Sequence, residues 1–119
     1  MLNLERIEEM RREIRRVEEE QEEVNLYIEK LLREEDEAYE ELSSYARNIA
    51  TEFEACHRDP RLTALTEEKF NLIVAAQSCC ANFSEELVDG RKKINSSCES
   101  YIEELRREMQ TLEKLEAVV

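Results

Sequence analysis

Residues 70–84 read FNLIVAAQSCCANFS, an uncharged stretch in a chain of which 39% of residues are charged. Its surroundings are rich in good helix formers, so the stretch reads as helix. On a helix, Phe70, Ile73, Val74, Ala76, Cys80 and Phe83 fall on one broad face, and Leu72, Ala75 and Cys79 extend beyond it. A helix that is apolar over most of its circumference is covered from more than one side. One partner helix from the same chain does not suffice. The stretch therefore predicts a protein whose role is to bind another protein.

Working outward, 119 residues with one Gly, one Pro and no run of alternating apolar and polar residues predict a single all-α domain. Residues 1–59 carry 19 Asp/Glu against 9 Lys/Arg, a net of −10, and residues 60–119 carry 11 against 8, a net of −3. Such a field repels phosphate backbones and anionic lipid headgroups, so nucleic acid and membrane surfaces are not expected partners. The start, MLNLERIEEMRREIRR, has no apolar core of a secretory signal, and no apolar run is long enough for a membrane span. Together with four cysteines that geometry does not bring together, this predicts a cytoplasmic, reduced setting.

In the first half, Ile7, Met10, Ile14, Val17, Gln21, Val24, Ile28, Leu31, Glu35, Ala38, Leu42, Tyr45 and Ile49 form a series stepping by three and four. This is a heptad seam with polar interruptions at Gln21 and Glu35, which either fix register and partner choice or are simply tolerated near solvent. From Leu26 the apolar stripe widens through Tyr27, Leu32, Tyr39, Ala46, Ala50 and Phe53. Cys56-His57-Arg58-Asp59-Pro60 breaks the pattern: Asp59 is a good N-cap and Pro60 suits the first helical position. Thr63 or Thr66 could cap instead, leaving 60–65 as a separate short turn.

The second half repeats the seam through Ile73, Ala76, Cys80, Phe83, Leu87, Gly90, Ile94, Cys98, Tyr101, Leu105, Glu108, Leu112, Leu115 and Val119, with a one-residue slip near Gly90. The expected fold is a long antiparallel helical hairpin, a coiled coil of about residues 3–56 and 60–117 with a turn near 56–61, pairing further into a dimer or helical bundle. Helical geometry places Ala38 near Cys79 and Cys80, Ile28 near Gly90 and Val17 near Tyr101, with Gly90 allowing close approach.

Reaction chemistry is missing from the sequence. Glu54-x-x-His57 has the spacing of a helical di-iron site, but one histidine cannot complete it. The cysteines lie too far apart along helices to converge on zinc, and read as small packing or interface residues. No Gly-rich phosphate loop and no nucleophile with a His and an acid in reach are present. The chain is read as a non-enzyme with no cofactor, metal or catalytic residue. The acidic runs 18–23 and 34–41 either recognise a basic partner or form solvated faces.

With LERIEEMRREIRRVEEEQEEV at its start, a mid-chain turn at Cys56–Pro60 and YIEELRREMQTLEKL near its end, the whole chain resembles the small α-helical partner proteins of bacterial type VIIb (Esx-like) secretion that accompany LXG toxins. Two family features are not met. His57-Arg-Asp-Pro60 stands where the related WXG proteins have Trp-x-Gly, and Tyr101 is followed four residues later by Leu105 rather than an acid. The resemblance implies binding to the helical N-terminal domain of a toxin as secretion partner, chaperone or targeting factor, with export alongside it. Alternatives are a type III or flagellar export escort, a stalk-like coiled coil, or a self-assembling structural coiled coil. The residues expected to meet the partner, whether another helical protein or a second copy, are Leu42, Tyr45, Ile49, Phe53, Phe70, Leu72, Ile73, Val74, Cys79 and Phe83.

Overall fold

The computed structural model describes residues 2–118 apart from His57, and the side chain of Cys56 also falls outside the described residues. The Glu54-x-x-His57 pair, any role of the Cys56 thiol and the seam position Val119 therefore lie outside what is described. Two helices make up the fold, α1 (Leu2–Cys56) and α2 (Pro60–Val118), with no strand among the described residues. The chain is all-α, a helical hairpin as the sequence predicts.

The start of α2 follows from local chemistry. The Asp59 carboxylate accepts from the backbone N–H of Arg61 at 2.9 Å and of Leu62 at 3.4 Å. Its carbonyl accepts from Thr63 N–H at 2.9 Å, so Asp59 is the N-cap and Pro60 opens the helix. The alternative caps are not used. Thr66 lies inside the helix, buried, with its hydroxyl donating to the Leu62 carbonyl at 2.7 Å.

The helices pair within two compact units. Unit 1 joins Met1–Ile28 to Asp89–Val119, and unit 2 is Glu29–Val88. In unit 1, Met10, Ile14 and Val17 pack against Ile102 and Leu105, and Cys98, Met109 and Leu112 complete the seam. Met10 is 1% exposed. Both flanks of this seam are laced by polar contacts between the helices. Arg6 pairs with Glu108 on one flank, where the Tyr101 hydroxyl also donates to Glu13. Arg11–Glu113 and Arg106–Glu18 lie on the other, each at 3.2 Å. The Arg16 hydrogen bonds hold Glu13 below the usual carboxylate range, while partial burial and the Glu13 carboxylate push the Tyr101 hydroxyl up.

The seam corrects the sequence reading at several positions. Val24, Tyr45, Phe83, Ile94, Tyr101, Glu108 and Leu115 were expected inside it and are exposed. Their neighbours Asn25, Ala46, Ser84, Asn95, Ile102, Met109 and Glu116 are buried or half-buried instead. At several points the order of the three- and four-residue steps is exchanged, as at Leu42, Ala46 and Ile49. At Asn25 the line steps four plus four from Val17 through Gln21, where the expectation took four plus three, which turns it by one residue, about 100°, before Ile28 returns it to the expected phase. A polar layer fixes the choice: Gln21 and Asn25 both donate to the Asn95 side-chain oxygen, at 3.0 and 2.9 Å. Gln21 is thus a register device rather than a tolerated surface residue. Val17 sits with Ile102 and Leu105, and Tyr101 faces outward.

Gly90 is the second correction. A Cβ built there meets nothing within 4 Å, so no close approach requires glycine, and α2 continues through it without a break.

Two stability measurements follow. Gly90→Ala should raise unfolding stability by about 0.5–1 kcal/mol, since alanine relieves the helix entropy cost without a clash. Met10→Ala should lower it by about 2–5 kcal/mol through the cavity it leaves. Urea midpoints on the full chain read both; a destabilising Gly90→Ala would mean that the glycine has a packing role.

Candidate partner-binding site

Unit 2 is built unlike unit 1. Its inward line carries Glu35, Ala46, Thr66, Gln77, Cys80 and Ser84, small or polar residues that are buried or half-buried. Gln77 spans the helices, donating to Ser43 Oγ at 2.8 Å. Of the eight buried hydrophobic residues among the described ones, Ile49 alone belongs to unit 2. Leu42, Ile49, Ile73 and Leu87 share that inward line, while Tyr45, Phe53, Phe70, Leu72, Val74 and Phe83 stand exposed outside it. All three phenylalanines lie in this unit, at 37% (Phe53), 41% (Phe70) and 41% (Phe83) exposure. Phenylalanine is normally among the most buried residues. A small seam lets two helices approach while leaving the bulky residues for a further layer.

Those residues divide between two grooves, one on each side of the helix pair. The first, about 380 Å³, is lined by Ile49, Ala50, Phe53, Thr66, Glu67 and Phe70. The second, about 410 Å³, is lined by Tyr45, Asn48, Ile49, Glu52, Lys69, Leu72 and Ile73. Lys69 and Glu52 pair across it at 3.9 Å. In an antiparallel pair, stepping back one residue turns the side chains of both helices toward the same side, because the axes are opposed. Residues seven apart share a face. The second groove therefore runs on past Tyr45 to Ala38 and Leu31 along α1, and past Leu72 and Lys69 to Cys79, Ala76 and Phe83 along α2.

The ten residues expected at the interface are thereby sorted. Leu42, Ile49 and Ile73 belong to the seam between the helices. Tyr45, Leu72, Cys79 and Phe83 share the second groove, while Phe53, Phe70 and Val74 take the opposite side. Leu72 and Val74 stand on opposite sides because two residues on a helix are about 200° apart. Leu31 and Ala38, expected in the seam, are half-buried, and their seven-residue spacing from Tyr45 sets them at its edge toward the second groove.

The cysteines are not equivalent. Cys98 packs on the unit 1 core, Cys80 is half-buried and Cys79 is exposed. Burial pushes the Cys80 thiol up, and the neighbouring Glu35 carboxylate adds to this through hydrogen bonding and charge. No group of three or more His, Cys, Asp or Glu side chains among the described residues is placed to hold a metal ion. Among the same residues no helix is long and apolar enough to cross a membrane.

Compared with protein-family models, curated proteins and solved structures, the chain shows no significant match.

Alkylation of the full chain at mildly alkaline pH should modify Cys79 ahead of Cys80, read by peptide mass mapping. Equal rates would mean that Cys80 is not held between the helices.

Proposed function

We propose that this chain is a non-enzymatic helical adaptor whose unit 2 receives helices of another protein, while unit 1 is a coiled-coil pair complete in itself. The exposure of all three phenylalanines beside a seam interrupted by small and polar residues carries this reading. Unit 1 differs: Met10, Ile14, Val17, Ile102 and Leu105 close between its helices and its flanks are tied by cross-helix ion pairs, while Leu26, Tyr27, Ile94 and Tyr101 stand exposed there. Large exposed apolar patches mark sites of protein association.

The resemblance to the helical partners of LXG toxins gives the adaptor a setting: binding the helical N-terminal domain of an exported toxin and presenting it for type VIIb secretion. The two grooves flanking unit 2 suit a bundle in which helices of the client lie on either side of the pair.

The test is co-expression with the helical N-terminal domain of the LXG-type protein encoded nearest to this chain, followed by the mass of the purified complex. A stoichiometric complex is expected. Leu72→Glu with Phe83→Glu should abolish it while leaving the free chain's stability within about 1 kcal/mol, because both residues are exposed. Hydrogen exchange on the chain alone adds a second readout, with amides of 29–88 exchanging faster than those of 2–28 and 89–118. A monomer equally protected in both units would remove the basis of the reading.

A further inference from the structure

The second groove of unit 2 has a rim as well as a floor. The floor is Leu31, Ala38, Tyr45, Leu72, Cys79 and Phe83. Seven-residue steps back from Asn48 place Glu41 and Glu34 along its α1 edge, and a step on from Cys79 places Glu86 on its α2 edge. These three carboxylates are exposed and carry no ion pair among the described residues. In unit 1, by contrast, Glu13, Glu18, Glu108 and Glu113 are each tied to a cation or a hydroxyl. Near the turn, Glu52 is matched by Lys69. Residues 29–88 carry 14 Asp/Glu against 6 Lys/Arg, a net of −8.

From this we infer that the groove takes an amphipathic helix whose apolar stripe is flanked by lysine or arginine. Two of these cations stand seven residues apart on one edge, opposite Glu34 and Glu41, and a third stands on the other edge, opposite Glu86. The inference rests on the adaptor reading and adds the chemistry of the partner. The floor from Leu31 to Tyr45 spans fourteen residues, about 21 Å, so the incoming helix needs roughly four turns. A second copy of this chain is a poor occupant, since it would bring another net −8 unit against an acidic rim. Charge of this kind sets which helix is accepted and how fast, while the apolar floor supplies most of the affinity.

The experiment uses the full chain and two labelled peptides of about 21 residues, four turns plus flanking residues. Both carry the same leucine and alanine stripe; one has lysines at the flanking positions and the other glutamates. Fluorescence anisotropy should show the lysine peptide binding about tenfold tighter or more, with the difference shrinking as salt is raised. Glu34→Lys with Glu41→Lys should reverse the order, and Leu72→Glu should weaken both. These substitutions are at exposed positions, and circular dichroism checks that the variants remain helical. Equal binding of the two peptides, abolished by Leu72→Glu, would overturn the charge inference and leave the adaptor reading standing. Binding insensitive to Leu72→Glu would overturn it by placing the peptide elsewhere. Absence of any binding would overturn it too, as would a chain that runs at twice its own mass and ignores both peptides.

Discussion

Two paired helices have one seam between them, and each helix can bury only one stripe against the other. That constraint governs the whole chain. Where the stripe is Met10, Ile14 and Val17 against Ile102 and Leu105, a narrow seam takes up the large apolar residues of that stripe. Where the sequence spreads its bulky residues around most of the helix, the seam cannot hold them all. The fold then places small and polar residues inward beside Leu42, Ile49 and Ile73, and leaves the phenylalanines exposed.

The two units show alternative ways to treat the flanks of such a seam. In unit 1 the flanks are charged and mutually satisfied, with arginines of each helix meeting glutamates of the other. Each exposed pair contributes little stability by itself, but a flank made of them gives a third helix nothing to pack against. In unit 2 the flanks are apolar at the centre and acidic at the edge. The same heptad period thus yields a closed coiled coil in one place and an open platform in the other. The difference lies in the positions that neighbour the seam, rather than in the seam's period.

Much of this was legible in the sequence. Asp59-Pro60 fixed the start of α2 because capping chemistry is local and needs only residues two to four positions apart. The 3-4 spacing gave the helices and their antiparallel pairing. The uncharged stretch 70–84 signalled surplus apolar surface. The phase of the seam was harder to read. Val24 and Asn25, or Phe83 and Ser84, are neighbours, and hydrophobicity favours the first of each pair. At Asn25 the structure chooses the second because Gln21 and Asn25 both donate to the Asn95 side-chain oxygen, an arrangement that no single residue reveals, while Asn25 Oδ1 itself accepts no hydrogen bond. The sorting of Leu72 and Val74 onto opposite grooves was hidden for the same reason, since it depends on which line faces the partner helix.

Unit 1 is assembled from the two ends of the chain, and the contact between Arg11 and Glu113 joins residues 102 apart in sequence. Its well-packed core therefore has the highest contact order in the molecule, and an unstructured chain would have to close a very long loop to form it. The hairpin of unit 2, with neighbours a few tens of residues apart at Ser43 and Gln77, shortens that loop to a zippering reaction. Loop closure thus favours an order in which the unit with the poorer core pairs before the unit with the better one. A helix held by unit 2 during folding would stabilise the step on which pairing of unit 1 depends, so a client for this surface would act on the rate of folding as well as on the folded state.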